Sequence, residues 1–135
     1  MTKTTTDYAL RTWLDIPYEK AVERVIAALK AEGFGVLTEV DVQTTLKEKL
    51  DVDFRKYVIL GACNPPLAHQ ALTIDLEIGL LLPCNIIVYE DGGGSVVAIT
   101  DPLMMLGLVE GPDLAPVAQE ARDRLRRVIE VVGTG

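Results

Sequence analysis

Apolar and polar residues change period along the chain in a regular succession. Tyr8, Leu10, Thr12 and Leu14 alternate with Ala9, Arg11, Trp13 and Asp15, a period of two that predicts a strand ending before Pro17. Ala21, Val22, Val25, Ile26 and Leu29 then share one stripe at helical spacing. Asp15 is the candidate cap of that helix and Pro17 suits its first turn, where no amide donor is missed. Gly33 supplies a left-handed end, over which Phe34 folds back. A second strand is predicted over residues 34–40, with Val36, Leu37 and Val40 apolar. Asp41 can cap a short helix through Leu50, with Val42, Leu46 and Leu50 on its inner side.

The densest apolar sequence runs from Tyr57 to Tyr89 and holds both cysteines and the only histidine. It predicts a strand over 56–62, a helical segment over 65–82 and a strand over 85–90. Both strands are near-continuous apolar runs, which places them inside the sheet. Glu90-Asp91-Gly92-Gly93-Gly94-Ser95 is a turn between apolar runs, so residues 95–100 should pair back as a hairpin. Asp101-Pro102 starts a helical turn through Leu106, and Gly107 with Glu110-Gly111-Pro112 breaks the chain before the last helix. There Val117, Ala121, Leu125, Val128 and Val132 form an apolar seam from about Asp113, which Gly133 should stop. The order β-α-β-α-β-α-β-β-α-α predicts a two-layer α+β fold, a mixed β-sheet with helices packed on it. No linker or repeat interrupts it. Residues 1–135 read as a single domain with an ordered core over about 7–132.

Composition adds an interface to this picture. Apolar residues make up 49% of the chain and aromatics only 5%, so the core is aliphatic. The mean hydropathy of +0.25 leaves apolar surface for a subunit contact, and a homodimer is expected. The hairpin strands and residues 103–106 are the candidate interface elements. A net charge of −7 argues against binding nucleic acid or an anionic membrane. The opening Met-Thr-Lys-Thr-Thr-Thr-Asp lacks the apolar stretch of a secretory signal, so a cytoplasmic location is expected. Residues 57–74 lack charge, but Asn64, Pro65, Pro66, His69 and Gln70 are unsuited to hydrocarbon, so no membrane span is read there.

Four phrases, taken together, resemble one family. They are Glu32-Gly33-Phe34-Gly35-Val36-Leu37-Thr38-Glu39-Val40-Asp41, Leu60-Gly61-Ala62-Cys63-Asn64-Pro65, Gly79-Leu80-Leu81-Leu82-Pro83-Cys84-Asn85 and Val88-Tyr89-Glu90. In that order the chain is similar to the uncharacterised bacterial and archaeal family known as domain of unknown function 302. The resemblance spans nearly the whole chain. It implies a small α+β domain, commonly dimeric, with no assigned activity and no catalytic residue to carry over. One departure is Leu76, where similar sequences often carry a helix-breaking proline.

Candidate chemistry gathers at the end of the first central strand. Cys63 and Asn64 precede a helix whose first residue is Pro65. Asn64 is a good cap, and the helix N-terminus can lower the Cys63 pKa or receive a small anionic or polar ligand. Gly61, Cys63, Asn64 and His69 are therefore the candidate ligand-binding residues, and Cys63 with His69 the candidate catalytic pair. If residues 65–82 form one straight helix, it is about 27 Å long and parts Cys63 from Cys84. No disulfide, metal site or cofactor is then expected, and both cysteines read as free thiols. Asp41, Asp75 and Asp101 each have a capping explanation. Arg122, Arg124, Arg126 and Arg127, interleaved with Glu120, Asp123 and Glu130, read as a solvated helix face. Met104 and Met105 read as core or interface plugs. The leading reading is a dimeric small-ligand-binding or interaction module without enzymatic activity. The alternatives are a thiol-dependent enzyme or redox protein using Cys63 and His69, and a purely structural homodimer.

Overall fold

Alternating and helical periods resolve into five strands and five α-helices in the computed structural model, which describes residues 8–107 and 112–134. The strands are β1 (Ala9–Leu14), β2 (Gly35–Asp41), β3 (Tyr57–Cys63), β4 (Cys84–Asp91) and β5 (Gly94–Thr100). The helices are α1 (Tyr18–Ala31), α2 (Val42–Leu50), α3 (Pro65–Ile74), α4 (Pro102–Leu106) and α5 (Ala115–Thr134), with 3₁₀ segments at Leu76–Leu81 and Pro112–Leu114. The α+β class and the element order follow the sequence pattern. The Glu110-Gly111 part of the expected break lies outside the described residues.

The sheet order is β1-β5-β4-β3-β2, and every neighbouring pair is antiparallel, where a mixed sheet was expected. The reason lies in the connections. A helix between strands makes them parallel only when it crosses over the sheet. Helix α2 does not cross: it buries no residue and Leu50 stands 67% exposed, so β2 and β3 meet as a wide hairpin. Helix α3 with the 3₁₀ segment likewise returns the chain from β3 to its neighbour β4. Strands β3 and β4 are interior, as their apolar runs predict, and β5 joins them there.

Local chemistry explains the element ends. Gly33 has φ +86°, and the Phe34 amide reaches back to the Leu29 carbonyl at 2.9 Å, closing α1 with a left-handed residue. The Asp15 cap does not form; Pro17 occupies the cap position and α1 starts without a side-chain cap bond. Asp41 and Asp101 accept from the amides of Thr44 and Leu103, each at 3.0 Å. Gly92 and Gly93 have φ +55° and +91°, the paired left-handed conformations that a two-residue hairpin turn needs. Gly133 does not stop α5, which runs on to Thr134; it lies instead where α5 passes close to Thr12 of β1.

Helices α1 and α5 cover one face of the sheet. The alternating residues Leu14, Val58, Leu60, Ile86, Val88, Val97 and Ile99 point at them, meeting Val25 and Leu29 of α1 and Leu125, Val128 and Val132 of α5. A smaller cluster forms beside this core, where Ala71 of α3, Ile78, Leu114 and Val117 pack together. The opposite sheet face lies under a shallow basin walled by strand residues and the connection carrying Phe54 and Arg55, with no helical residue among the described residues of its lining.

Candidate functional site

The two hydrophobic clusters do not close fully against each other. Between them lies a cavity of ≈ 170 Å³, bounded by the ends of β3 and β4, by α3, by the 3₁₀ segment and by α4 and α5. Phe34 and Ala62 contribute walls from the main core, and Leu67, Ala71, Leu82 and Val117 contribute them from the smaller cluster. Cys63, Asn64 and Cys84 also line it.

The cavity exists because residues 65–82 are not one helix. Asp75 adopts an extended conformation (φ −151°, ψ 113°), so α3 ends at Ile74. Its carboxylate accepts the Glu77 amide at 2.9 Å and starts the 3₁₀ segment in a new direction. The break persists with leucine at position 76. The expected separation of Cys63 and Cys84 is therefore overturned: β3 and β4 are adjacent, Ala62 pairs with Cys84, and both thiols reach the same cavity. Both are free. Burial pushes the Cys84 thiol up to about 11, and neighbouring Cys63 adds in the same direction. Among the described residues, no group of three or more His, Cys, Asp or Glu is placed to hold a metal ion.

The other expected site residues divide. Asn64 is buried and its side-chain oxygen accepts the Leu67 amide at 3.3 Å, the capping bond. Its amide group faces the Glu32 carbonyl at 3.5 Å, at the C-terminal end of α1. Pro65 and Pro66 have no donors, and the Ala68 amide bonds the Asn64 carbonyl at 2.9 Å, so the first turn of α3 is already engaged. Gly61 is not an approach for a ligand: Thr38 and Pro83 fill the space its β-carbon would take. His69 is exposed on α3 and absent from the cavity lining, so Cys63 and His69 are not brought together there.

The arginines of α5 do more than solvate a face. Arg124 donates to the Glu32 carbonyl at 3.0 Å, and Arg127 grips the Glu32 carboxylate through two bonds of 3.0 and 3.1 Å. Arg122 pairs with the buried Asp101 carboxylate at 3.1 Å. Together with Asn64 they lock the end of α1, the start of α3 and the start of α4 around the cavity. Sequence reading missed this lock because its partners lie 92 and 95 residues apart. Met105 lines the cavity, while Met104 is exposed.

Asn64→Ala should therefore lower stability by about 1–2 kcal/mol, combining a lost cap with the loss of the weaker of two donors to the Glu32 carbonyl. Urea unfolding reads this directly. An unchanged midpoint would show that Asn64 does not hold α3 to α1.

The model of the family described as "Domain of unknown function DUF302" matches residues 11–132. The chain belongs to this DUF302 family. The crystal structure of an uncharacterised conserved DUF302 protein from Bacillus stearothermophilus is 31% identical to it and superposes with a TM-score of 0.86. That likeness covers 93% of this chain and 98% of the other. No curated protein matches it. No helix among the described residues is long and apolar enough to cross a membrane.

Proposed function

We propose that this DUF302 domain is a small-ligand-binding module whose ligand occupies the cavity between α3, α5 and the ends of β3 and β4. The supporting observation is the cavity itself, ≈ 170 Å³ in volume and walled by Leu67, Ala71, Leu82 and Val117. A purely structural domain of this size has reason to fill such a space, because each missing methylene lowers stability. An apolar cavity of about 150 Å³ is large enough for a benzene ring. The ligand favoured here has an apolar body of roughly that size. It carries at most a small polar end, since Asn64 among the lining residues already has its side chain engaged. An anion without apolar surface fits less well, since the first turn of α3 has its amides engaged.

Methyl-resolved NMR titration with benzene, phenol and inorganic phosphate tests this reading. Benzene or phenol should shift the methyls of Leu67, Ala71 and Leu82, and Ala71→Phe should abolish the shifts by filling the space. Shifts with phosphate alone, or none with any probe, would sink it.

A further inference from the structure

The cavity gathers three sulfur side chains. Cys63 is the last residue of β3 and Cys84 the first of β4, and they are the only two cysteines in the sequence. Ala62 pairs directly with Cys84, so Cys63 is one step along the ladder from it. Strand spacing and rise place the two Cα atoms about 6 Å apart. Met105 reaches the same cavity from α4. Free cysteines usually pack as small buried hydrophobes, whereas these two are part-buried and open to the cavity. Among the described residues of the lining there is no Asp, Glu, His, Lys or Arg. Sulfur therefore dominates its capacity to coordinate.

We propose that Cys63, Cys84 and Met105 form a binding site for a cuprous ion. Ligand type selects the metal. Thiolate and thioether donors suit Cu(I), whereas carboxylate and carbonyl oxygens suit harder ions. Structural zinc completes a tetrahedron of thiolates and imidazoles, and this lining offers two thiols and no imidazole. Cu(I) accepts two or three sulfur donors. Distance permits the bridge as well. Metal–thiolate bonds of roughly 2.3 Å let one ion span sulfurs up to about 4.6 Å apart, well beyond the ~2.05 Å of a disulfide. That reach suits side chains leaving adjacent strands at staggered positions. With α3 ending at Ile74, the separation that would have kept the thiols from one ion is gone. Each thiol passes its proton to solvent as the ion enters, and the copper stays cuprous, so no electron moves. Two thiolates and Cu(I) carry one net negative charge, which lies at the N-terminal end of α3, where the helix dipole favours it. Leu67, Leu82 and Val117 form a hydrophobic shell that limits water at the ion. The site uses the donor atoms of the lining, so it stands whether or not an apolar ligand fills the rest of the cavity.

Titrating the reduced protein with cuprous ion under argon, against the chromophoric chelator bathocuproine disulfonate, tests the proposal. The protein should withdraw one ion per chain from the chelator, and copper-edge X-ray absorption should show a shell of sulfur alone. Cys63→Ser and Cys84→Ser should each weaken binding at least about a hundredfold and Met105→Leu about tenfold, whereas Met104→Leu should change nothing. Circular dichroism confirms that the variants remain folded, and the sulfur shell of the wild type is read without them. No copper withdrawn from the chelator overturns the proposal, as does a nitrogen or oxygen shell. An affinity indifferent to both cysteine variants also overturns it. So does half an ion per chain, which places the copper between two copies, or zinc that displaces the copper.

Discussion

Gly94→Ala is expected to lower stability by about 3 kcal/mol and the thermal midpoint by about 10 °C. Gly94 closes the β4–β5 hairpin opposite Asp91 and lies beneath the Trp13 ring. A β-carbon there meets that ring and also the backbone carbonyl of Leu14. The ring can turn away, but the carbonyl belongs to the β1–β5 ladder and cannot move without breaking it. Relief therefore requires β1 to shift, which carries Trp13 off the sheet face. Gly35→Ala is the matched comparison, because nothing lies near its added carbon and it should change stability by under about 0.5 kcal/mol. Differential scanning calorimetry of the two variants decides the matter. If their midpoints coincide, the close approach at Gly94 does not govern the attachment of β1.

The second large effect is a loss of stability at alkaline pH. Burial raises the Cys84 thiol to about 11, above the ordinary thiol value of 9.0. The folded state therefore holds a proton that the unfolded chain releases first. This contribution is complete below about pH 9 and disappears as pH rises through about 11, a change of ~3 kcal/mol. Cys84→Ala should flatten the stability profile across that interval. Tyr18, raised from 10.0 to about 12 by burial and by nearby Asp41 and Glu39, lowers stability from about pH 10 upward in both proteins, so the interval of about pH 9–10 isolates the thiol. Urea titrations at a series of pH values separate the two groups. Parallel profiles for wild type and Cys84→Ala would show that the thiol is not the source.

Which parts of this architecture were legible in the sequence depends on how local their causes are. The glycine pair of the hairpin, the Gly33 end of α1, the Asn64 cap and the seam of α5 each involve residues within a turn or two, and each was readable. The break at Asp75 was not. It turns on whether a carboxylate caps a new segment or ends an old one, and the leucine that follows gives no warning. Pairing direction was hidden for a related reason, since α2 looks like a crossover helix until its lack of buried side chains is seen.

The uncovered face was the hardest feature to read. Ile59, Ile87, Tyr89 and Val96 make β3, β4 and β5 apolar on both sides, the pattern of strands buried between two helical layers. Only the tertiary arrangement shows that α1 and α5, the helices packed on the core, lie on the same side. The candidate site was half legible for the same reason. Cys63 and Asn64 do line the cavity, but Cys84 joins them through strand pairing that no spacing rule reveals.

The edge of the sheet at β2 has a consequence for solubility. Its register slips between Val36 and Thr38, leaving Leu37 as a surplus, 68% exposed residue in a bulge, while Glu39 and Asp41 carry charge along the same strand. A kinked, acidic edge is a poor template for another chain's backbone. The open hydrogen-bonding groups of β2 are thus guarded against strand-by-strand growth, and an aliphatic chain of this kind can remain dispersed without ending its sheet in a helix.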